Sequence, residues 1–463
     1  MLKLLRGALA LTLGWSLSLS ALATDLVIET WRIDDAELWR TQILPAFQKS
    51  HPEISVTLAA VHAAEYETVL LERLKAGKAG DLITCRPYDA SLKLFQDGYL
   101  TDLTEFPGLE NFPRFARSAW QTDSGAQTFC LPIASVIQGF YYNKTIFKEL
   151  GLAVPKTRAQ FFAALDKVRQ DGRYQPLVMP VHDNWITSEL GYQNIGPNYW
   201  HGEDGRTALL SGKQKFTDAP YVAVFDELAR WRPYLGAAPE QLDEGQAVAL
   251  FASGKAAVIV AGSWAISQFM GKVDFDAFPP PVAEEGDSCY FTDHTDIGIG
   301  INAASPNQAA ALTLLEWMSS AEFAELFSNS VPGFFSLSNH FFELDNPVAS
   351  TMASWRDSCD STIRVATQIL SRGTPSLSSE LNEVTQAVML GQLSPAEAAA
   401  RLEQGLVGWY GPQQQAAEAS LLDNCAPPTV SPAASSADGT LDAAASGAAA
   451  VDGTPASPPP TGQ

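Results

Sequence analysis

Residues 24–84 read TDLVIETWRIDDAELWRTQILPAFQKSHPEISVTLAAVHAAEYETVLLERLKAGKAGDLIT. Leu26-Val27-Ile28 is a short apolar run with the composition of a buried strand. Asp34 and Asp35 stand where a helix can be capped, and Trp39, Ile43 and Phe47 then recur every four residues. Pro45 falls inside that pattern and should bend the helix or mark its last turn. Ile54 to Leu58 reads as a second strand. Tyr66, Val69, Leu70, Arg73 and Leu74 give a helix with one apolar face, ended near Gly77 and Gly80. Asp81 to Thr84 is a third strand, and Ala90 to Phe95 another helix.

Strand and helix in alternation imply an α/β fold, with parallel sheet built by right-handed crossovers. Ligands of such sheets lie outside the carboxyl ends of the strands. That rule singles out Trp31, Arg32 and Asp34 after the first strand, and Arg86 and Tyr88 after the third. Further along, Leu131 to Ser135 reads as a strand or a crossing segment, Phe140 to Asn143 as a strand, and Thr145 to Leu150 as a helix. Pro155-Lys156-Thr157 caps a helix running through Val168. Ala247 to Phe251 is helical and Gly254 can end it. Ala256 to Val260 is a β-rich run leading to Gly262-Ser263-Trp264. Ile297 to Ile301 is a strand, followed by helices at Ala309 to Met318 and Ala321 to Phe327. No repeat of solenoid length is present.

Four stretches carry a resemblance. Residues 129–148, FCLPIASVIQGFYYNKTIFK, contain a P…YNK pattern, and 151–165, GLAVPKTRAQFFAAL, a PKT segment. Residues 250–265, LFASGKAAVIVAGSWA, hold F..GK.A…G.W, and 298–323, GIGINAASPNQAAALTLLEWMSSAEF, follow in the same order. In this set and order the chain resembles the extracellular solute-binding proteins of ABC importers that include the maltose- and glucose-binding proteins. The match covers most of 25–340 and weakens towards 410. The resemblance implies two α/β lobes joined by crossing strands, type II-like, with a ligand cleft between them. The first lobe would take 24–134 and 295–340, the second 135–294 and 341–415. It also implies a sugar as solute, the transmembrane subunits of a permease as partner, and lobe closure as the form the permease distinguishes.

A sugar presents C–H faces to aromatic rings and hydroxyl edges to polar side chains. Buried polar groups must be paired, so a dry cleft rejects solutes that leave one unmatched. Trp264 matches the tryptophan of the family's G.W, which carries a stacking role. Trp185, in His182-Asp183-Asn184-Trp185, lies where the family often places a second cleft aromatic. Trp31 follows the first strand. Asn184, Ser135 at the first crossing, Asp293 and His294 before the Ile297 strand, and Phe334 complete the expected ligand-binding set. The chain departs from the maltose-type pattern at Ser135-Val136-Ile137, where no carboxylate follows the crossing. Maltodextrin specificity is therefore not expected.

Composition bounds the rest. Lys3 and Arg6, the apolar run Ala8 to Leu19 and Ala21-Leu22-Ala23 read as a secretory signal cleaved near Ala23, which implies the periplasm. Removing Lys3 and Arg6 takes the formal charge from −22 to −24, which repels nucleic acid and anionic lipid. The five cysteines form no CxxC pair, so no metal site is expected. Secretion permits disulfides, and Cys85 with Cys130 is a plausible pair, with the connectivity left open. From about Ala416 the chain becomes Ala, Ser, Pro, Gly and Asp, a composition for a disordered tail. No GxSxG elbow, HExxH helix or phosphate loop occurs, so neither an enzyme nor a cofactor is expected. A monomer is expected. The rival readings are the same fold holding a polyamine, ferric ion or other small solute, a sensory protein presenting its ligand to a receptor, and a secreted glycoside hydrolase. Tyr141 and Tyr142 do not make an iron cluster, because neighbours along a strand point opposite ways.

Overall fold

The computed structural model describes residues 24–366 and 368–425. Ten strands occur among them: β1 Thr24–Thr30, β2 Ile54–Ala60, β3 Leu82–Cys85, β4 Leu131–Asn143, β5 Gln175–Val178, β6 Ala256–Gly262, β7 Phe275–Phe278, β8 Tyr290–Ile301, β9 Phe335–Ser336 and β10 Asp360–Thr362. They form one path in the order β2-β1-β3-β8-β4-β6-β5, with β7 and β9 on β4 and β10 on β8. β1 is parallel to both β2 and β3, placing Leu26 opposite Val56 and Ile28 opposite Leu82. The pairs β3·β8, β8·β4 and β4·β6 are antiparallel, and β5·β6 is parallel again.

β4 belongs to both halves of the molecule. Residues Leu131 to Ile137 pair with β8, and Gln138 to Tyr142 pair with β6. Sequence reading separates these into two segments, but one strand of 13 residues runs through. Nearly every residue is buried on both faces, so the run shows no alternation, and register shifts around Pro132 and Ala134 bend it. Gly139 sustains this crossing, since a Cβ there would lie 2.7 Å from the Trp355 ring. β8 also starts earlier than expected, at Tyr290. Asp293 and His294 therefore sit within the strand rather than before it. Its first half is polar, and several of its groups find distant partners: Thr292 Oγ1 donates to the Gln193 carbonyl at 2.9 Å, and Asp293 accepts from Arg356.

The buried apolar residues divide at these crossings. One cluster takes residues between Leu26 and Val136 and between Ile297 and Leu337. Two others take residues between Ile137 and Leu406, with Phe335 from β9. Trp264 packs against all three.

Local readings hold for most helices: Tyr66–Lys75, Asp89–Gln96, Lys144–Leu150, Gln308–Met318 and Ala321–Ser330. Thr157 and Gln160 form a capping box ahead of Arg158–Asp171. The helix after β1 differs from its expectation. It runs as Ala36–Leu38, a π turn at Trp39–Ile43, and Leu44–Ser50. Leu44 N–H bonds the Trp39 carbonyl five residues back, which widens the turn just before Pro45, a residue with no N–H to give. Asp35 does not cap with its side chain; its carboxylate accepts from Arg32 Nε at 2.6 Å instead.

Cys85 bonds Cys130, tying the end of β3 to the start of β4, and Cys289 bonds Cys359 beside β8 and β10. Gly300 makes room for the first disulfide, since a Cβ there would meet Cys130 Sγ at 2.8 Å. The loops closed span 45 and 70 residues. In the chain-entropy account each is worth about 4 kcal/mol. Reduction under dithiothreitol is expected to lower the melting temperature by several degrees; an unchanged midpoint would show that neither bond constrains the unfolded chain.

Residues through Glu418 fall in one unit. Helix Gly411–Cys425 runs past Ala416, where composition had suggested disorder, because Gln, Ala, Glu and Leu favour helix. The rest of the expected tail, 426–463, and the expected signal segment, 1–23, lie outside the described residues. No helix among the described residues is long and apolar enough to cross a membrane.

Candidate functional site

A cavity of about 420 Å³ opens where the carboxyl ends of β1, β3 and β6 meet the middle of β8. One wall is Trp31, Arg32, Ile33, Asp34, His62 and Arg86. The facing wall is Asp183, Trp185, Glu189, Asp243, Glu244, Trp264 and Arg364, with His294 and Asp296 of β8 between them. The structure thus brings together seven residues singled out from the sequence: Trp31, Arg32, Asp34, Arg86, Trp185, Trp264 and His294.

Their environments differ. Trp185 is 40% exposed. Trp264 is half-buried, and its indole N–H donates to Glu244 Oε1 at 2.7 Å. Trp31 is only 5% exposed, and the Arg86 guanidinium lies 4.4 Å from its ring centroid. Its stacking face is therefore already covered by a protein cation. Arg86 is fixed in turn by the Glu67 carboxylate and the Ala63 carbonyl.

Five expected residues lie elsewhere. Phe334 is 1% exposed in the first core cluster, with Arg32 packed over its ring at 4.7 Å, so it supports the cleft from below rather than lining it. Asn184 begins helix Asn184–Thr187 and is not among the cavity residues. Ser135 and Asp293 line a separate cavity of about 1070 Å³, where both accept from Arg356, at 3.2 and 2.7 Å. The strand period turns them away from His294 and its neighbours. Tyr88 borders that cavity and another of about 340 Å³.

The centre of the site is a buried charged cluster, of which sequence reading reaches only His294. Glu189 is 5% exposed. Its two oxygens accept from Arg364 Nη1 at 2.9 and 2.8 Å, the His294 Nε2 atom lies 3.1 Å away, and Gln138 Nε2 also donates to it. Burial works against the carboxylate, but the Arg364 charge and the His294 contact outweigh it and hold its pKa at about 2. Glu244 shows the opposite balance. Burial raises its pKa despite the hydrogen bond from Trp264.

The Glu189 shift has a sign that can be checked. Its folded-state pKa lies below the ordinary carboxylate value, so its contribution to stability is present above about pH 4.5 and is lost as the pH falls towards 2. The stability gap between the parent chain and Glu189→Gln is expected to be largest above pH 4.5 and to close on acidification, read by urea denaturation across that range. A gap independent of pH would contradict the assignment.

Glu189 carried a faint sequence signal at most. It sits in a π turn, Ser188–Tyr192, a feature frequent at functional sites but invisible in composition. Glu244 and Asp243 open a helix through the capping box Asp243-x-x-Gln246. Asp183, inside the segment already noted around Trp185, accepts the Glu244 N–H at 3.0 Å and so links the two loops. Chemically, the walls offer indole faces, carboxylate acceptors and guanidinium donors around one cavity open to solvent, the pairing that an alcohol-rich ring requires.

Comparisons with known proteins agree in one direction. The sequence model of the family described as bacterial extracellular solute-binding protein matches residues 33–325. A multiple sugar-binding protein of Streptococcus mutans is 24% identical over 294 residues, 60% of this chain and 67% of that protein. Among solved structures, one described under xylan utilization by the thermophilic bacterium Caldanaerobius polysaccharolyticus superposes with a TM-score of 0.71 at 15% identity, over 82% of this chain and 99% of that one. RafE in complex with raffinose gives 0.67 at 20% identity, over 84% and 100%. At these identities the structural likeness establishes the two-lobe fold.

Proposed function

The chain belongs to the bacterial extracellular solute-binding protein family, and from that premise we propose that it is the periplasmic receptor of an ABC importer whose solute is a carbohydrate. The observation that carries this reading is the cavity itself, lined from both sides by Trp185, Trp264, acidic side chains and three arginines. The relative from Streptococcus mutans is a sugar-binding protein by name, and RafE holds raffinose, which supports the same class of solute. The first lobe takes 24–134 and 295–340 and the second 135–294 and 341–415, so that solute contacts both and its binding energy favours the closed form. The permease's transmembrane subunits read that form, and the protein delivers its sugar unchanged.

One ion cluster ties the lobes at the rim. Arg372 donates to both oxygens of Asp89 and both of Asp123, at 2.6 to 3.1 Å. All three side chains are substantially exposed, so the cluster biases closure only modestly. Arg372→Ala is expected to weaken solute binding about fivefold through easier opening. Unaltered affinity in calorimetry would show that the cluster plays no part in closure.

A cationic amine is the second reading. Arg32, Arg86 and Arg364 already face Asp35, Glu67 and Glu189. The cavity also holds Asp34, Asp183, Asp243, Glu244 and Asp296, more carboxylates than arginines, although the Arg32 charge acts on Asp34, Glu244 and Asp296 and the Arg364 charge on Asp296. A thermal-shift screen with neutral sugars, polyols and polyamines separates the two, because a solute bound only by the folded chain raises its melting temperature. A rise with sugars, recovered chemically intact, supports the receptor. A rise with polyamines alone favours the second reading, and hydrolysed sugar would point to an enzyme.

A further inference from the structure

A second recess lies on the reverse face of the crossing strands. His294 and Asp296 of β8 line the solute cavity, whereas Asp293 and Thr295, each one step away on the same strand, line the cavity of about 1070 Å³ behind it. Its walls come from both proposed lobes, with Phe115, Leu337 and Asn339 on one side and Glu203, Arg356 and Ile363 on the other. None of these side chains lines the solute cavity. The space is ample for a small organic molecule.

The floor of the recess is a pair of hydroxyls. Ser135 and Thr295 are cross-strand partners on β4 and β8, 4% and 5% exposed. Thr295 Oγ1 has no hydrogen-bond partner among the described residues. Ser135 Oγ accepts from Arg356 Nη2 at 3.2 Å, which leaves its own hydrogen to give. A buried hydroxyl without a bond is costly, so a polar atom of whatever fills the recess finds a partner there. The charges, by contrast, are matched within the recess. Asp293 accepts from Arg356 Nε at 2.7 Å, Glu203 accepts from Arg206 Nε at 2.7 Å, and His340 Nε2 lies 3.1 Å from the Ser319 carbonyl. At the mouth stand two phenyl rings, Phe115, largely exposed, and Phe341, fully exposed. One such ring on a surface is ordinary, but two bordering one recess, one from each lobe, make an apolar rim.

We propose that this recess is a second, regulatory site that takes a small uncharged molecule with an apolar ring and a hydroxyl or amide group. The ring lies against Phe115 and Phe341, and the polar group meets Thr295 and Ser135. A charged group gains little, because each arginine of the recess already holds a carboxylate. The lobes turn about β4 and β8, so opening the solute cleft in front narrows the recess behind. An occupant therefore resists opening and raises solute affinity, and solute raises the occupant's affinity by the same factor. This coupling rests on the two-lobe carbohydrate reading, whereas occupancy of the recess does not.

The test uses the full chain and ligand-observed NMR. The probes are N-acetyl-phenylalaninamide and benzyl alcohol, with benzoate and benzylammonium as charged counterparts. The neutral pair is expected to bind, and the charged pair about fivefold more weakly. Thr295→Val, which removes the hydroxyl and keeps the shape, should weaken the neutral probes about fivefold. Phe341→Ala, at a fully exposed position, should weaken them about threefold. Melting temperatures show that both variants fold. No binding by the neutral probes, equal binding by the charged ones, or an affinity unaltered in either variant would overturn the site. Calorimetry then reads the coupling with the sugar that most raises the melting temperature. Its affinity should rise about fivefold once the stronger neutral probe saturates the recess. An unchanged sugar affinity would overturn the regulatory role and leave the recess as a site. Failure of every sugar to bind would remove the carbohydrate reading and the coupling with it.

Discussion

Arg364→Ala is expected to destabilise the protein by about 3–5 kcal/mol. The change strands the Glu189 carboxylate, which is 5% exposed and would keep only His294 and Gln138 as partners. An unpaired buried charge is far more costly than the intact pair is favourable, so the loss measures desolvation rather than the worth of the bridge. Replacing both partners with apolar residues, Arg364→Met with Glu189→Leu, should recover most of the lost stability because no charge is left stranded. Urea denaturation of the three chains distinguishes the cases. A single variant within about 1 kcal/mol of the parent would mean that water reaches Glu189 freely. The double variant should still bind solute poorly, since Arg364 lines the cavity.

Trp264→Ala should weaken solute binding by well over tenfold, because it removes one of the two indole faces of the cavity. The indole also packs against all three core clusters and bonds Glu244. Some stability is lost with it, roughly 2 kcal/mol for a half-buried ring, less than the loss of a fully buried one. The chain should still unfold cooperatively, which separates a damaged site from a damaged fold. Trp264→Phe keeps a ring but drops the N–H donated to Glu244, so its affinity should fall between the two. Solute bound as tightly by Trp264→Ala as by the parent would place this indole outside the site.

Local chemistry accounts for what was legible in the sequence. β1, β2 and β3 show as apolar runs, and the helices between them show as repeats of apolar residues, because each pattern lies within one short segment. The carboxyl-end rule then reached Trp31, Arg32, Asp34 and Arg86 without any contact information. It could not show that Arg86 would cover Trp31, since that depends on how two loops pack. β4 escaped as a single strand because burial on both faces removes its alternation. The first half of β8 escaped because it is polar, and partners such as Gln193 for Thr292 lie far away in sequence.

The charged centre was invisible for a related reason. Glu189 and Arg364 are 175 positions apart, and Gln138 reaches the same carboxylate from the crossing strand. No local pattern marks a pair that only the tertiary fold assembles. Phe334 shows the converse error: an aromatic beside Pro332-Gly333 looks like a loop residue, yet it fills the core beneath Arg32.

The claim on which the account depends is that one sugar is held between the lobes against Trp185 and Trp264. A crystal structure grown with the sugar that most raises the melting temperature tests it most directly. A ring should rest on at least one of these indoles, with hydroxyls bonded to side chains of both walls. Sugar density outside this cleft, or touching one wall alone, would contradict it.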